Sequence, residues 1–595
     1  MIVGTDTGGT FTDAVDDTGA VVKMSSTPDD PSRAVAAAVT ALGGRVPRIL
    51  AHGTTVPTNT LLERKGARVA LLTNEGFEDL VEIARQRRPS LYDQLADRPE
   101  PLVDRDHRIG VRGRLSASGE VLVPLDLRGL EDRLPADTEA VAVCLLHSDL
   151  HDAHEREVGA LLERAGFDCS LSCQVAPEMR EYERMVTTLV NAYVRPACRR
   201  YLSRLSPLAD AVLVMTSAGA CVDAEFAVTH PVRLLLSGPA AGARAAAEVA
   251  AANGFMDAVA FDMGGTSTDV CLIRGGEPDP AAQRSIAGFP LRVPSLGVHT
   301  IGAGGGSVAF VDRGGALKVG PESAGAVPGP ACYGRGGTLP TVTDANLLCG
   351  RLGPAELPEI GRLDSGAARR VFSRSGIDPA GVLAVVEQNM VRAIRVVTVE
   401  RGVDPRDLAL VAYGGAGPLH ACALADALGM KAVLVPARAG VFSAAGLLAA
   451  PVGVDVVASW PTPEDHSGLA EALRRLAEDA RQRLRDSDAQ VSVEVSVDCR
   501  YKGQSHELRV SEPARFHEEH ERVNGFARWD EPVEVVALRA CVRATRRVDV
   551  TGLPAPPRET GRGPRVIPEE DCTIWVPDGW RADRGEAGSL LLRRC

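Results

Sequence analysis

Along the first three quarters of the chain, short apolar runs alternate with stretches rich in Ala, Leu and Arg. AVAVCLL (140–146) reads as a buried strand and HDAHEREVGALLERAG (151–166) as the helix after it. AVLVMTSAG (211–219) and LALVAYGGAG (408–417) read as strands ending in glycine turns, the second followed by a helix in PLHACALADALG. Such strand–helix alternation predicts α/β architecture. Near residue 460 the pattern changes. SWPTPEDHSG reads as a linker, and LAEALRRLAEDARQRL places Leu469, Leu473, Leu476 and Ala480 on one helical face. VSVEVSVDC then alternates strictly, with Val491, Val493, Val495, Val497 and Cys499 on one side of a half-buried strand. A β-rich segment over 490–595 follows, with PAPPRETGRGPR (554–565) as a loop inside it.

Within this pattern one motif occurs twice. IVGTDTGGTFTDAV opens the chain, and AVAFDMGGTSTDVCL restates it from Ala258, so that D-x-G-G-T-x-T-D begins at Asp6 and again at Asp262. The spacing is far too long for a solenoid repeat and suits two related α/β domains. A strand ending in Asp before Gly-Gly-Thr gives a hairpin whose backbone N–H groups can converge on an anion. Larger residues at Gly8 and Gly9 would hold phosphate oxygens off the main chain, while Thr10 and Thr12 add hydroxyl donors. Aspartates cannot face phosphate directly, so Mg²⁺ or its waters would sit between. One such turn reads as an ordinary hairpin; two, each opening a domain, read as a clamp. No G-x-x-x-x-G-K-[ST] occurs, and IGAGGGSVAF (301–310) lacks G-x-G-x-x-G spacing. YGGAGPLH (413–420), a glycine turn opening a helix, fits the nucleoside side of such a clamp.

Composition narrows the classes. A length of 595 residues suits about three to four domains, and 45% hydrophobic with 24% charged residues is ordinary for a globular protein. A net charge of -12 disfavours a nucleic-acid binder. Thirteen scattered Cys without a C-x-x-C pair fit reduced thiols in a cytoplasmic protein. MIVGTDTGG lacks the features of a signal peptide, and the uncharged stretch from Ala439 to Val454, rich in Gly, Ala and Pro, is no membrane span.

The hairpins and the GGAGP loop resemble the actin-like, sugar-kinase and heat-shock-chaperone ATPase superfamily. Within it the chain is similar to the A-type subunit of the hydantoinase/oxoprolinase family (N-methylhydantoinase A, acetone carboxylase β-type). GTDTGGTFTD, HGTTVPTNTLLERKGARVALLTNEGFEDLVEIARQ, LLLSGPAAGA, FDMGGTSTDV, HTIGAGGGSVAFVD, VGPESAGAVPGPACYG, PTVTDANLLCGRLGP and RGVDPRDLALVAYGGAGPLHACALA carry the resemblance from residue 2 to about 450, with a weaker match in RYKGQSHELRV (500–510). It implies two actin-like (ribonuclease-H-like) ATPase domains over 1–175 and 176–460, then a linker and amphipathic helix over 461–489 and a smaller β-rich domain over 490–595.

The resemblance also implies ATP and Mg²⁺, a hydantoinase B-type partner in a hetero-oligomer, and ATP-dependent activation of a cyclic amide, imide or lactam carbonyl for ring opening. ATP-dependent carboxylation of a ketone is the alternative, and a nucleotide-binding scaffold without turnover the second. By resemblance, Asp6, Gly8, Gly9, Thr10, Thr12 and Asp13 form the first phosphate turn, and Asp262, Gly264, Gly265, Thr266, Thr268 and Asp269 the second. Gly414, Gly415, Gly417 and Pro418 line the adenosine side, and Asp6 and Asp262 serve Mg²⁺. Asp262, His52 and His299 are the catalytic candidates.

Other residues are open to two readings. His52, Thr54, Thr55 and Asn59 either meet substrate or belong to a helix entry capped by the threonines. Arg180, Glu181, Tyr182, Glu183 and Arg184 read as an ion-paired surface helix start before a substrate site. His147, His151 and His154 sit beside Asp149 and Asp152, which read as helix caps ahead of a metal site. Glu322 and Asp344 lie in loops of the second domain. Family members carry Asp two residues before the position of His299, where this chain has Gly297, and a longer segment after LRACVRA. The shorter segment is expected to affect partner docking and leave the ATP site intact.

Overall fold

A computed structural model describes residues 1–595 apart from 28, 94, 282–283, 354–355, 358–360, 485–489 and 545–547, with the backbone alone at 356–357. Both copies of the repeat fold the same way. Strands Ile2–Thr7, Phe11–Asp16 and Val21–Ser25 form an antiparallel unit, as do Ala258–Met263, Thr268–Arg274 and Glu277–Pro278. Each unit then adds parallel strands beside its first strand: Ile49–Thr54 and Ala211–Met215 in one, Ala409–Tyr413 and Ala432–Val435 in the other. Asp6 lies opposite Asp13 in the first hairpin, and Asp262 opposite Asp269 in the second.

Two helices wedge between these sheets. A Cβ on Gly4 would fall 2.3 Å from the carbonyl oxygen of Ala444 in helix Phe442–Ala449. One on Gly446 would fall 2.4 Å from that of Ala241 in helix Gly238–Ala252. Residues any larger would push the two units apart. The main core runs through the second sheet, with Phe261, Leu410, Val433 and Leu592 fully buried.

The strand pairing redraws the expected domain limits. Strand Ala211–Met215 belongs to the first sheet, reached through helix Glu181–Leu205, so a boundary at 175 cuts that unit. Between its strands a separate five-stranded sheet, spanning residues 69–171, is inserted. Nor is 490–595 one unit. Strand Gly453–Ser459, which precedes the expected linker, pairs with Val533–Ala544 in a four-stranded sheet. Strands Trp580–Arg584 and Leu590–Arg594 instead extend the second large sheet beyond Ala432–Val435. Uncovered, Ala432–Val435 would leave a row of backbone groups at a sheet edge, and the returning strand satisfies them.

The local reading of this region matches the structure. Helix Leu469–Arg483 buries Leu469 and Ala480 and half-buries Leu473 and Leu476, against Val497, Cys499 and the valines of Val491–Tyr501. All thirteen cysteines are free thiols. Among the described residues, no helix is long and apolar enough to cross a membrane.

Candidate active site

The two Gly-Gly-Thr turns face each other across a cavity of about 400 Å³, a volume typical of small-molecule sites. Gly8 N–H donates to Phe11 O at 3.0 Å and Gly264 N–H to Ser267 O at 3.1 Å, which closes each turn in the same way. A Cβ on Gly265 would stand 3.8 Å from Thr10 Oγ1, so the turns nearly touch. From the first unit Asp6, Gly8, Gly9, Thr10 and Asp13 border the cavity. The second contributes Asp262, Gly264, Gly265, Thr266 and Asp269, and the loop after Ala409–Tyr413 adds Gly414 and Gly415.

Four of the expected residues sit behind this surface. Thr12 Oγ1 lies 3.1 Å from Ser26 Oγ, and Thr268 donates to Ala303 O. Strand alternation turns each threonine inward and the following aspartate to the cavity. Gly417 and Pro418 are buried in the first turn of helix Gly417–Leu428.

Among the described residues six carboxylates, Asp6, Asp13, Asp262, Asp269, Glu570 and Asp571, share the cavity with one cation, Lys23. Burial, then the neighbouring Asp269 and Asp6, pushes the Asp262 carboxyl up to about 8. Burial and Asp13 push Asp6 up to about 7, and burial pushes Asp269 up to about 6 against a hydrogen bond from Thr300. Asp13 is raised by burial but held down by Lys23, whose Nζ lies 2.8 Å from Asp13 Oδ1 and 3.0 Å from Oδ2. Lys23 also donates to Gly440 O at 3.1 Å, and among the described residues no other Lys or Arg borders the cavity. Such a wall repels a polyphosphate unless cations accompany it.

The second turn rests on the glycine run 302–306. Gly305 and Gly306 donate to Gly264 O and Gly265 O at 3.0 and 2.7 Å. A Cβ on Gly304 would fall 2.6 Å from Gly265 C and Thr266 N. Gly414, at φ 78°, has the left-handed conformation glycine favours and passes over Asp262, where a Cβ would meet Oδ1 at 2.3 Å.

Residues distant in sequence complete the site. Asp571 accepts from Gly440 N–H at 2.7 Å, and Glu570, Asp571, Cys572 and Thr573 border the cavity. Residues 570–573 therefore border the cavity, although the shorter segment after LRACVRA was expected to leave that site intact. Ser237, at the head of helix Gly238–Ala252, is fully buried with no partner for Oγ and also borders the cavity. LLLSGPAAGA contained it, but only the fold brings that helix start beside Asp6.

Both histidine assignments change. His52 is fully buried between Thr5 Oγ1 and Tyr201 OH, each at 2.8 Å, and burial drives its imidazole down to about 3. It lies in strand Ile49–Thr54, turned toward helix Glu181–Leu205 and away from the cavity, and its ring is uncharged at neutral pH. His52→Phe is expected to lower Tm by a few degrees and to leave ATP turnover within about twofold, as thermal unfolding beside a coupled ATPase assay would show. His299 occupies strand His299–Ile301 opposite Val270, and its successor Thr300 is the residue that faces in, donating to Asp269 Oδ1 at 2.5 Å. The alternation of a strand forbids both from facing the cavity. Gly297 lies beyond the cavity, where a Cβ would stand 3.1 Å from Arg401 Nη1 and Asp279 O.

The other open readings resolve into structure. Arg184 is 1% exposed and bonded to Asp149 at 2.9 Å, and Arg180 and Glu183 pair with Glu507 and Arg85, so this helix start is an interior ion-pair network. Asp152 stands at the head of helix Ala153–Arg164, but its carboxylate takes Arg156 at 2.5 Å and caps nothing. His151 Nε2 meets Ala117 O at 3.2 Å. Asp344 is fully buried and accepts from Ala331, Cys332 and Thr341 in a capping box, while Glu322 is exposed. Thr55 stands at the N-cap of helix Val56–Leu62 without a capping bond from its hydroxyl, which donates to Thr7 O at 3.1 Å, and Thr54, Thr55 and Thr58 border the cavity.

Two ribonuclease-H-like units with facing Gly-Gly-Thr turns define an actin-like fold of the ATPase type. Residues 184–456 match the hydantoinase/oxoprolinase family model and residues 2–166 the model of the hydantoinase/oxoprolinase N-terminal region. The chain belongs to the hydantoinase/oxoprolinase family. It is 33% identical to the caprolactamase subunit alpha of Pseudomonas jessenii, over 100% of this chain and 94% of that one. The crystal structure of ATP-dependent caprolactamase from Pseudomonas jessenii superposes with a TM-score of 0.87 at 31% identity, covering all of both chains. Similarity extends to 5-oxoprolinase 1 of Arabidopsis thaliana (34%, over 84% of this chain but only 45% of that one) and to the acetophenone carboxylase gamma subunit of Aromatoleum aromaticum (33%, 85% and 78%).

Proposed function

We propose that this chain is the ATP-using subunit of a cyclic amide hydrolase, which activates a lactam, imide or hydantoin-like carbonyl for ring opening together with a B-type partner subunit. The observation that carries the ATP reading is the pair of matching turns in one cavity. The substrate class rests on full-length similarity to caprolactamase. A lactam carbonyl is resonance-stabilised, and transfer of the γ-phosphoryl group to its oxygen turns that oxygen into a leaving group. Water then adds at the carbon, the C–N bond breaks as the nitrogen takes a proton, and the resulting acyl phosphate is hydrolysed by a second water, so that lactam, ATP and two waters give an amino acid, ADP and phosphate.

Phosphoryl transfer asks a protein for positioning and charge neutralisation more than for a nucleophile. The backbone of Gly8–Thr10 and Gly264–Thr266 supplies the cradle. Asp6, Asp13, Asp262 and Asp269, three of them held up toward neutral pH by burial and one another, suit Mg²⁺, with Asp6 and Asp262 as the primary holders. Mg²⁺ would supply the charge neutralisation that Lys23 alone does not. Lys23→Met is expected to raise KM for ATP about tenfold to a hundredfold, the range for losing a charge-assisted hydrogen bond, and to raise the Mg²⁺ concentration needed for half-maximal turnover. Steady-state kinetics over ATP and Mg²⁺ measure both.

The reading is tested by ATP turnover of the chain with its co-purified partner over caprolactam, 5-oxoproline, hydantoins and ketones. Lactam-dependent ADP release without bicarbonate is the expected result. Similarity to the acetophenone carboxylase gamma subunit favours ketone carboxylation as the second reading, and ADP release that requires ketone and bicarbonate together would establish it in place of the first.

A further inference from the structure

On the side of the GGAGP loop, the cavity ends in apolar surface from Leu352, Leu419 and the Tyr333 ring. The polar side chains of Thr343 and Asn346 interrupt it. Asn346, in helix Val342–Leu348, is 1% exposed and borders the cavity. Its amide nitrogen donates to Val342 O and to His420 Nε2, both at 3.1 Å. His420 is itself fully buried, on the helix that follows the GGAGP turn, and its Nδ1 lies 3.0 Å from Glu387 Oε1. Arg351 Nη1 stands farther off, 3.5 Å from the same nitrogen, and is paired with Glu387; the nearer carboxylate only accepts, so the imidazole proton sits on Nδ1 and Nε2 is left as an acceptor.

That chain of bonds fixes the Asn346 amide. Both its N–H groups are used, and a flipped amide would set its oxygen against two acceptors. The oxygen is therefore the atom left over: Oδ1 is buried without a hydrogen-bond partner, in a residue that borders the cavity. A buried acceptor without a donor is costly, and its persistence in an otherwise satisfied network marks a place where a ligand brings the donor.

We propose that Asn346 Oδ1 reads the nucleotide base, accepting a hydrogen bond from the exocyclic amine of adenine, and that Glu387 and His420 hold it in the accepting orientation. The inference rests on the ATP reading of this cavity and adds to it a reason for choosing adenine. Hypoxanthine and guanine carry a carbonyl oxygen where adenine carries that amine. Against Asn346 Oδ1 they would bring acceptor to acceptor, and a site built for a donor rejects such an analogue strongly. Asn346 determines specificity, and His420 is a positioning residue acting through it. With His420 gone the amide is free to turn its N–H groups to the cavity, which suits a carbonyl oxygen.

The test is the dissociation constant of Mg-ATP, Mg-ITP and Mg-GTP by titration calorimetry on the full chain with its partner. Wild type is expected to prefer ATP over ITP by about tenfold or more. Asn346→Ala should weaken ATP about tenfold and change ITP less than about twofold, bringing the ratio near one. His420→Leu should lower the ratio by improving ITP, a gain that mere loosening of the fold does not produce. An unchanged ATP/ITP ratio in Asn346→Ala overturns the inference. So does a raised KM for caprolactam with the ratio intact, which would turn Asn346 toward the amide N–H of the substrate. Wild type that binds no nucleotide defeats the ATP reading itself, whereas wild type that binds ATP and ITP equally defeats only the base assignment.

Discussion

Asp262→Asn is expected to reduce ATP turnover by about a hundredfold or more, the scale seen when one element of a charge-stabilising site is removed, and at the same time to make the nucleotide-free protein more stable at alkaline pH. The two effects have one origin. Asp262 is raised to about 8, Asp6 to about 7 and Asp269 to about 6, from an ordinary value of 3.8. Between pH 4 and 8 the native state therefore holds protons that the unfolded chain has released, and stability falls as pH rises through that window. Asparagine keeps the size and drops the charge, so the variant loses the largest single share of that fall, including the part between pH 7 and 8. Thermal melts from pH 5 to 9, with and without Mg-ATP, measure it. Wild-type Tm should decline toward pH 9, Mg-ATP should flatten the decline, and Asp262→Asn should melt higher at pH 8. A variant that melts lower at pH 8, or that turns ATP over normally, would refute the account of the paired carboxylates.

Gly304→Ala is expected to cost as much function through a single methyl group. That methyl would lie 2.6 Å from Gly265 C and Thr266 N, and both are main-chain atoms of the second turn that cannot rotate away. Overpacking against backbone costs about 1–3 kcal/mol, and here the displaced atoms are the proposed phosphate cradle. An ATP dissociation constant raised about tenfold to a hundredfold, with the far-ultraviolet circular dichroism of wild type, is the expected outcome. Alanine at Gly552, outside the cavity, where a new Cβ would stand 3.7 Å from its nearest neighbour in ordinary contact, is the matched control and should bind ATP within about threefold of wild type.

The strands and turns that build the cavity walls were legible because their signals are local. An apolar run, an Asp and two glycines specify each hairpin within about ten residues, and two copies disclosed the pairing that one could not. The helix at 469–483 and the strand at 491–501 were equally plain from their periods. What escaped reading depends on alternation at a strand end or on chain return. His299 and Thr300 are neighbours in one motif, and only the register against Val270 decides that the threonine faces in. Lys23 stands opposite Asp13 across the hairpin, a pairing that strand periodicity allows and a motif search passes over. Asp571 and Asn346 carry no local mark at all. Each acquires its place from a contact with a distant segment, Gly440 for one and His420 for the other.

The order of assembly follows from the strand that covers Ala432–Val435. Its partner Leu590–Arg594, the hairpin Arg565–Pro568 with Thr573–Val576 that leans on helix Gly417–Leu428, and Asp571 at the cavity rim all arrive more than a hundred residues later. Loop closure across such a separation is slow. The first unit can therefore be complete while the second still lacks an edge and one wall of its cavity. Competence to hold nucleotide is then expected to come late in folding, and a bound nucleotide would favour the final docking of that wall by mass action.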